Sequence, residues 1–343
     1  SLHLSKLVSD PLPGSTGLVN DSDLRVKNGL LTPPRILLEG IDISIDKSLL
    51  IDSPNGTVDI TNSKILASSE NKNSGNITIT GKEVNIHGNS SLIASGETSG
   101  GLIQVGGSWQ NSDKNVRQAV RTTIASGALL DASATKKGNG GTIVAWSDVK
   151  NPFGFTKVEG KLKSRGGKVG GNGGQIETSG SYLDVGKASI DVGSSFGKAG
   201  SWLLDPFNYI ITNNSKLSLE NALLNGANVH IQTTEPSNPL INSCDISQNC
   251  IANNGDFGFI EFRTDLDYSS GSGLLRMTAN KTIEIFENNT IKTGSGGLEL
   301  NAPNGLIGLG KIIVDEDNPS STASFSITQN RDSVFEGVIS GNG

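Results

Sequence analysis

The sequence predicts an all-β fold, a parallel β-helix (solenoid) with loop insertions and one short decorating helix, and three observations predict it. The first is a glycine-paced recurrence. Gly75-Asn76-Ile77-Thr78-Ile79, Gly100-Gly101-Leu102-Ile103-Gln104-Val105, Gly140-Gly141-Thr142-Ile143-Val144-Ala145-Trp146 and Gly173-Gly174-Gln175-Ile176-Glu177-Thr178 each join a turn to a short strand with apolar residues at alternate positions. The second is that further short strands lie between these segments. They are Val84-Asn85-Ile86 and Leu92-Ile93-Ala94 in one interval, Ala128-Leu129-Leu130-Asp131 in another, and Tyr182-Leu183-Asp184-Val185 with Ser189-Ile190-Asp191-Val192 in a third. Several strands in a recurrence of about 25 residues describe a coil that stacks on its neighbours and pairs with them edge to edge. The third is composition: 44 Gly among 343 residues, 34% hydrophobic, 5% aromatic and one Met. That cannot fill a wide globular core, but it can fill a thin column of Ile, Val, Leu and Ala along a solenoid axis. Coils of about 25 residues allow roughly 13 of them, a rod on the order of 60 Å long.

Taken in order, residues 1–35 read as an irregular N-terminal segment or incomplete first coils, without the basic start and apolar centre of a signal peptide. Residues 36–211 carry the recurrence. An insertion over about 107–121 interrupts it, and there Lys114, Arg117 and Arg121 stand at spacings of three and four. That spacing suits one side of a short helix or an extended loop, and a solvated face is the plainer reading. Residues 212–343 continue the strands in a looser pattern. Leu219, Ala222 and Leu223 at helical spacing, with Gly226 as a stop, predict a helix over about 218–225 that lies as a lid on the side of the solenoid. Strands resume at Val229-His230-Ile231, Phe259 to Phe262, Leu274 to Met277, Thr282 to Ile285, Leu298 to Leu300 and Ile312 to Val314. Between the first two, residues 233–256 are rich in Pro, Asn and Ser, hold both cysteines, and read as a loop leaving the coil.

The net charge of −6 is spread without blocks of either sign, and there is no apolar run of membrane-spanning length. Nucleic acid is therefore not an expected partner. The chain begins without Met and closes in mid-pattern, so a piece of a longer protein is expected. Paired carboxylates, the usual glycan-cleaving chemistry, occur as Asp265 with Asp267 and as Asp315-Glu316-Asp317. Ser269-Ser270-Gly271 and Asn318-Pro319 follow them, so both groups read as solvated turns. Gly170-Gly171-Asn172-Gly173-Gly174 lacks the Asp of a calcium-binding nonapeptide. No catalytic, cofactor-binding or metal-binding residue is assigned, and no cofactor is expected.

Gly106-Gly107-Ser108-Trp109-Gln110, Arg121 to Ala125, Gly127 to Ala134, Gly138 to Asp148, Gly173 to Gly180 and, most specifically, Gly200-Ser201-Trp202-Leu203-Leu204-Asp205-Pro206 resemble filamentous-haemagglutinin-type exoproteins. The resemblance covers about 75–211 and extends weakly to about 302. It implies a right-handed β-helix in a large bacterial protein, secreted across the outer membrane to the cell surface, whose usual role is adhesion. The partners it implies are a host surface protein or glycan and, during secretion, an outer-membrane transporter or the protein's own C-terminal barrel. The family's N-terminal secretion domain with its Asn-Pro-rich motifs is not among these residues. The closing Phe335 to Gly343 resembles repeats that precede an autotransporter barrel, so both secretion routes stay open. In that exported setting an even cysteine count favours a disulfide between Cys244 and Cys250, closing Asp245, Ile246, Gln248 and Asn249 into a short loop. Whether that loop binds a partner or pins the insertion stays open. Trp109, Trp146 and Trp202 belong to the family pattern and read as packing at coil corners in preference to sugar stacking.

The expected function is that of an extracellular adhesin passenger, a rigid stalk whose contact elements are the insertions at 107–121 and 233–256. Trp109, Lys114, Arg117 and Arg121 are the candidates in the first, with the residues of the cysteine loop in the second. The alternatives are a β-helical polysaccharide lyase or hydrolase, and an exoprotein that captures a host carrier protein through its disulfide loop.

Overall fold

A computed structural model of the chain describes residues 35–45, 47–68, 74–234 and 257–343, with the backbone of strands Leu2–Leu4 and Gly17–Asn20. It is mostly β, and its strands form long parallel sheets. Strands consecutive in sequence are not neighbours. Each pairs with its counterpart one repeat away, from 21 residues (Thr290 to Lys311) to 51 residues (Tyr209 to Ile260) along the chain.

The longest sheet runs through Ser48–Thr61, Asn76–Ile86, Leu102–Val105, Thr142–Trp146, Gln175–Ser179, Ser201–Asp205, Asn228–Gln232, Leu275–Thr278, Leu298–Asn301 and Phe325–Thr328. Its register stacks one inward column: Leu49, Ile77, Ile103, Ile143, Ile176, Trp202, Val229, Leu275, Leu298 and Phe325. Ser48–Thr61 and Asn76–Ile86 are long enough to turn a corner. Their C-terminal halves open a second row of strands, Arg121–Ile124, Phe155–Val158 and Tyr182–Asp184. A separate six-stranded sheet stacks Ile65, Leu92, Leu130, Leu162 and Ile190 in the same way. Inward side chains from all these sheets merge into one apolar cluster from Ile36 to Ala323. Each fully buried Ile or Leu contributes about 1.5–3 kcal/mol, so stability accumulates repeat by repeat.

The glycine doublets follow from how closely successive repeats approach. A Cβ on Gly141 would strike the carbonyl oxygen of Gly101, one on Gly174 that of Gly141, and one on Gly200 that of Gly174. No side chain fits at the start of these strands, which is why the punctuation recurs.

The helix runs Lys216–Leu224, two residues ahead of its expected start, with Ser215 at the N-cap. Its end is as expected. Gly226 takes φ +83, Gly226 N–H donates to Leu223 O at 3.0 Å and Ala227 N–H to Ala222 O at 3.0 Å, the paired bonds of a glycine-stopped helix. Its placement differs from the expected lid. Leu219, Ala222 and Leu223 are buried, and the helix packs against both Ser189–Asp191 and Leu266–Tyr268, filling the level where one sheet ends and the next begins. Beyond it two four-stranded parallel sheets carry the stack on, Tyr209–Ile211 through Leu306–Gly308 and Leu266–Tyr268 through Val338–Gly341. No helix among the described residues is long and apolar enough to cross a membrane.

Asp267 departs from expectation. It lies within strand Leu266–Tyr268 and not in a turn, with its Oδ1 accepting the N–H (3.0 Å) and hydroxyl (2.8 Å) of Ser269. Asp265, just before the strand, accepts the N–H of Thr290 at 2.7 Å. Within 1–35, Leu2–Leu4 pairs with Ile36 to Leu38 and Gly17–Asn20 with Leu49 to Asp52, while the rest of 1–34 lies outside the described residues.

Candidate functional site

After Leu102–Val105 the chain does not turn directly to its next strand. Residues 106–120 run out over the outer surface of the long sheet and return to Arg121–Ile124, forming a strap. Gly106 starts it in the left-handed region at φ +81. Gly107 must lack a Cβ because the indole of Trp146 occupies that space. Ser108 then closes a tight knot: its hydroxyl donates to Asp113 O at 3.2 Å and accepts from Asp113 N–H at 3.1 Å. Inside the knot Trp109–Asn111 makes a 3-10 turn in which Gln110 and Asn111 hold positive φ of 45 and 50. Lys114 Nζ donates to Asn111 O at 2.6 Å and Asp113 Oδ1 accepts from Asn115 N–H at 2.9 Å.

Both ends of the strap are tied to other repeats. Arg117 Nε lies 3.1 Å from Asp52 Oδ1, two repeats back, and the same oxygen accepts the Thr80 hydroxyl at 2.9 Å. Gln118 Oε1 accepts the Trp146 indole N–H at 3.1 Å. Gln110 N–H donates to Glu177 Oε2 at 2.8 Å, two repeats forward.

Beneath the strap Trp109 packs on Val144, Trp146 and Val149. Glu177 is fully buried there, although its position on the strand points away from the core. Ser179 donates its hydroxyl to Glu177 Oε1 at 2.9 Å. Burial pushes the Glu177 carboxyl up to about 8, helped by the charge of Asp205 and opposed by the Gln110 and Ser179 donors. Burial also raises Asp205, against hydrogen bonds from Thr234 (2.6 Å) and Gln232 (2.9 Å).

A groove flanks the strap on each side. One, of about 570 Å³, is lined by Leu50, Asp52, Thr78, Gln104, Asp113 and Arg117. The other, of about 390 Å³, is lined by Trp109, Gln110, Leu203, His230, Gln232 and Arg276 among others. His230 Nε2 lies 3.0 Å from Thr278 Oγ1, and Arg276 Nε donates to Glu299 at 2.6 Å. Burial, and then the Arg276 charge, hold the His230 imidazole below its ordinary range despite Glu299.

Trp109, Lys114 and Arg117 therefore lie on the strap. Arg121 does not: it opens a strand on another row, its guanidinium 5.0 Å over the Phe155 ring. The three cations line neither a helix nor a common patch, because Arg117 is drawn to Asp52 and Arg121 to Phe155. The tryptophans also depart from corner packing. Trp202 points into the core from mid-strand and donates to Thr178 Oγ1 at 3.0 Å, Trp146 faces outward under the strap, and Trp109 belongs to the strap itself. Cys244, Asp245, Ile246, Gln248, Asn249 and Cys250 lie outside the described residues.

Sequence reasoning missed Glu177, Asp205, His230, Gln232 and Arg276. A signal for the strap's footprint was present in Thr142-Ile143-Val144-Ala145-Trp146 and Ser201-Trp202-Leu203-Leu204, which are apolar on both faces and so require cover on both. Among the described residues no group of three or more His, Cys, Asp or Glu is placed to hold a metal ion. Comparison with protein-family models and with curated proteins found no match.

Proposed function

We propose that the chain is a right-handed parallel β-helix acting as the extracellular adhesive stalk of a bacterial exoprotein, with the strapped outer face of its long sheet as the contact surface. The stacked inward columns and the apolar cluster they merge into support the solenoid. Right-handed connection is the rule for parallel strands joined by crossovers. The motifs ending at Trp202-Leu203-Leu204-Asp205-Pro206 support the exoprotein reading, and with it a surface location and an outer-membrane transporter or barrel as the secretion partner.

The observation that carries the choice of surface is the strap. It is the described insertion that crosses several repeats, is anchored at both ends, and opens a groove on either side. A binding role suits this surface better than hydrolysis. Glu177 is sealed beneath Gln110, and Asp265 and Asp267 are engaged by neighbouring donors.

The test is attachment of the purified chain to epithelial monolayers and matrix-coated surfaces. Two variants are compared with it, one with 108–118 replaced by a short Gly-Ser link and one lacking 235–256. Attachment lost with the strap and kept without 235–256 is expected. The opposite pattern, or loss in Cys244→Ser alone, assigns capture to the cysteine loop, and glycan turnover by the intact chain rejects the non-catalytic reading.

A further inference from the structure

We propose that the groove between the strap and strands Ser201–Asp205, Asn228–Gln232 and Leu275–Thr278 is a subsite for an uncharged saccharide, with Trp109 as its stacking wall and His230 and Gln232 as its polar wall. This rests on the reading of the strapped face as the contact surface and names what that surface takes.

Size comes first. About 390 Å³ lies near the lower end of small-ligand sites, room for one or two sugar rings. Stacking comes next. Trp146 and Trp202 are fully buried and Trp109 is half-buried, with Val144, Trp146 and Val149 packed against it and the groove beside it. An indole face presents an apolar plane to the C–H face of a pyranose. The polar wall offers planar donors and acceptors, the His230 imidazole and the Gln232 and Asn228 amides, whose geometry suits neighbouring hydroxyls.

Charge selects among sugars. The Arg276 guanidinium in the groove is paired with Glu299 at 2.6 Å, and Asp205 beside it accepts from Gln232 and Thr234. His230 is held towards its neutral form. The guanidinium is matched by Glu299 and Asp205 is held by uncharged donors, so the groove offers no surplus positive charge to a sulfated or carboxylated chain. The stacking wall is also held in place, since the neighbouring Gln110 N–H is bonded to buried Glu177 at 2.8 Å and little ordering remains to be done on binding.

The experiment titrates lactose, cellobiose, N,N′-diacetylchitobiose and a heparin-derived tetrasaccharide into the full chain, followed by tryptophan fluorescence and calorimetry. At least one neutral disaccharide saturates with a dissociation constant in the millimolar range or tighter, and heparin binds more weakly. Trp109→Ala weakens that binding about tenfold. Gln232→Ala, away from the strap, weakens it several-fold, while Phe196→Ala, at an exposed position outside the groove lining, leaves it unchanged. The Trp146 indole resonance reports whether the strap stays seated in each variant. Failure of all three neutral probes to saturate at tens of millimolar, preference for heparin, or binding indifferent to both Trp109→Ala and Gln232→Ala overturns the subsite. Attachment that persists while no disaccharide binds overturns the subsite alone, whereas a strap-shortened chain that still attaches overturns the reading of the strapped face as the contact surface.

Discussion

The outer surface of the long sheet differs under the strap and beyond it, although the same register carries it through both regions. Val144, Glu177, Leu203, His230, Arg276 and Glu299 form one outward column, each paired with the next. Under the strap Val144 and Glu177 have no exposed surface. At the groove and one repeat past it, Arg276 and Glu299 make an open ion pair with half of the Arg276 side chain in solvent. The inward column from Leu49 to Phe325 shows no such change of character, because it meets the same core throughout. Outward chemistry is therefore set by what covers the sheet, and inward chemistry by the stack.

Each side of that contrast can be broken separately. Trp202→Ala removes a core residue common to both regions and is expected to cost about 3–5 kcal/mol in urea unfolding, more than any change to the outer surface. Replacing 108–118 by a short link uncovers Val144 and Trp146 and is expected to cost about 2–4 kcal/mol, with a red shift of tryptophan emission that the Trp202 variant does not share. If the strap could be removed at no cost, the covered and open regions would be equivalent.

Glu177→Gln tests the covered side through pH. The folded chain holds a Glu177 proton up to about 8, where the unfolded chain releases it near 4.5. The stabilisation this gives is full below the lower value and lost as pH rises through the upper one. The wild type is expected to melt progressively lower across that window, with Asp205 acting in the same direction. Glu177→Gln flattens the dependence and leaves the chain more stable at the alkaline end. The smallest effects belong to the exposed cations. Arg117→Ala is expected to cost about 0.5–1 kcal/mol through the strap's tie to Asp52, and Arg276→Ala less than about 0.5 kcal/mol.

The stacked strands were legible in the sequence where their glycine doublets were, because those glycines report a close backbone approach that no other residue allows. Strands Phe155–Val158, Lys161–Lys163, Leu266–Tyr268 and Thr290–Thr293 were not. Each is three or four residues long and points one or two side chains inward, too few to show a period, and its pairing comes from the repeats above and below. Trp109 and Arg117 were visible as residues of an insertion. Their partners were not, since Glu177 reads as an ordinary outward position until the strap 67 residues earlier is laid over it. The helix was legible at its glycine stop and not in its placement, which depends on two strands far apart in the chain.

The strap is seated on a buried, protonated Glu177. Carbon-13 titration of the Glu177 carboxyl, with amide exchange at Gln110 read in the same sample, checks this. The structure predicts a carboxyl that titrates near 8 and a Gln110 amide protected below that pH. A carboxyl titrating near 4.5 together with a freely exchanging Gln110 amide would contradict it.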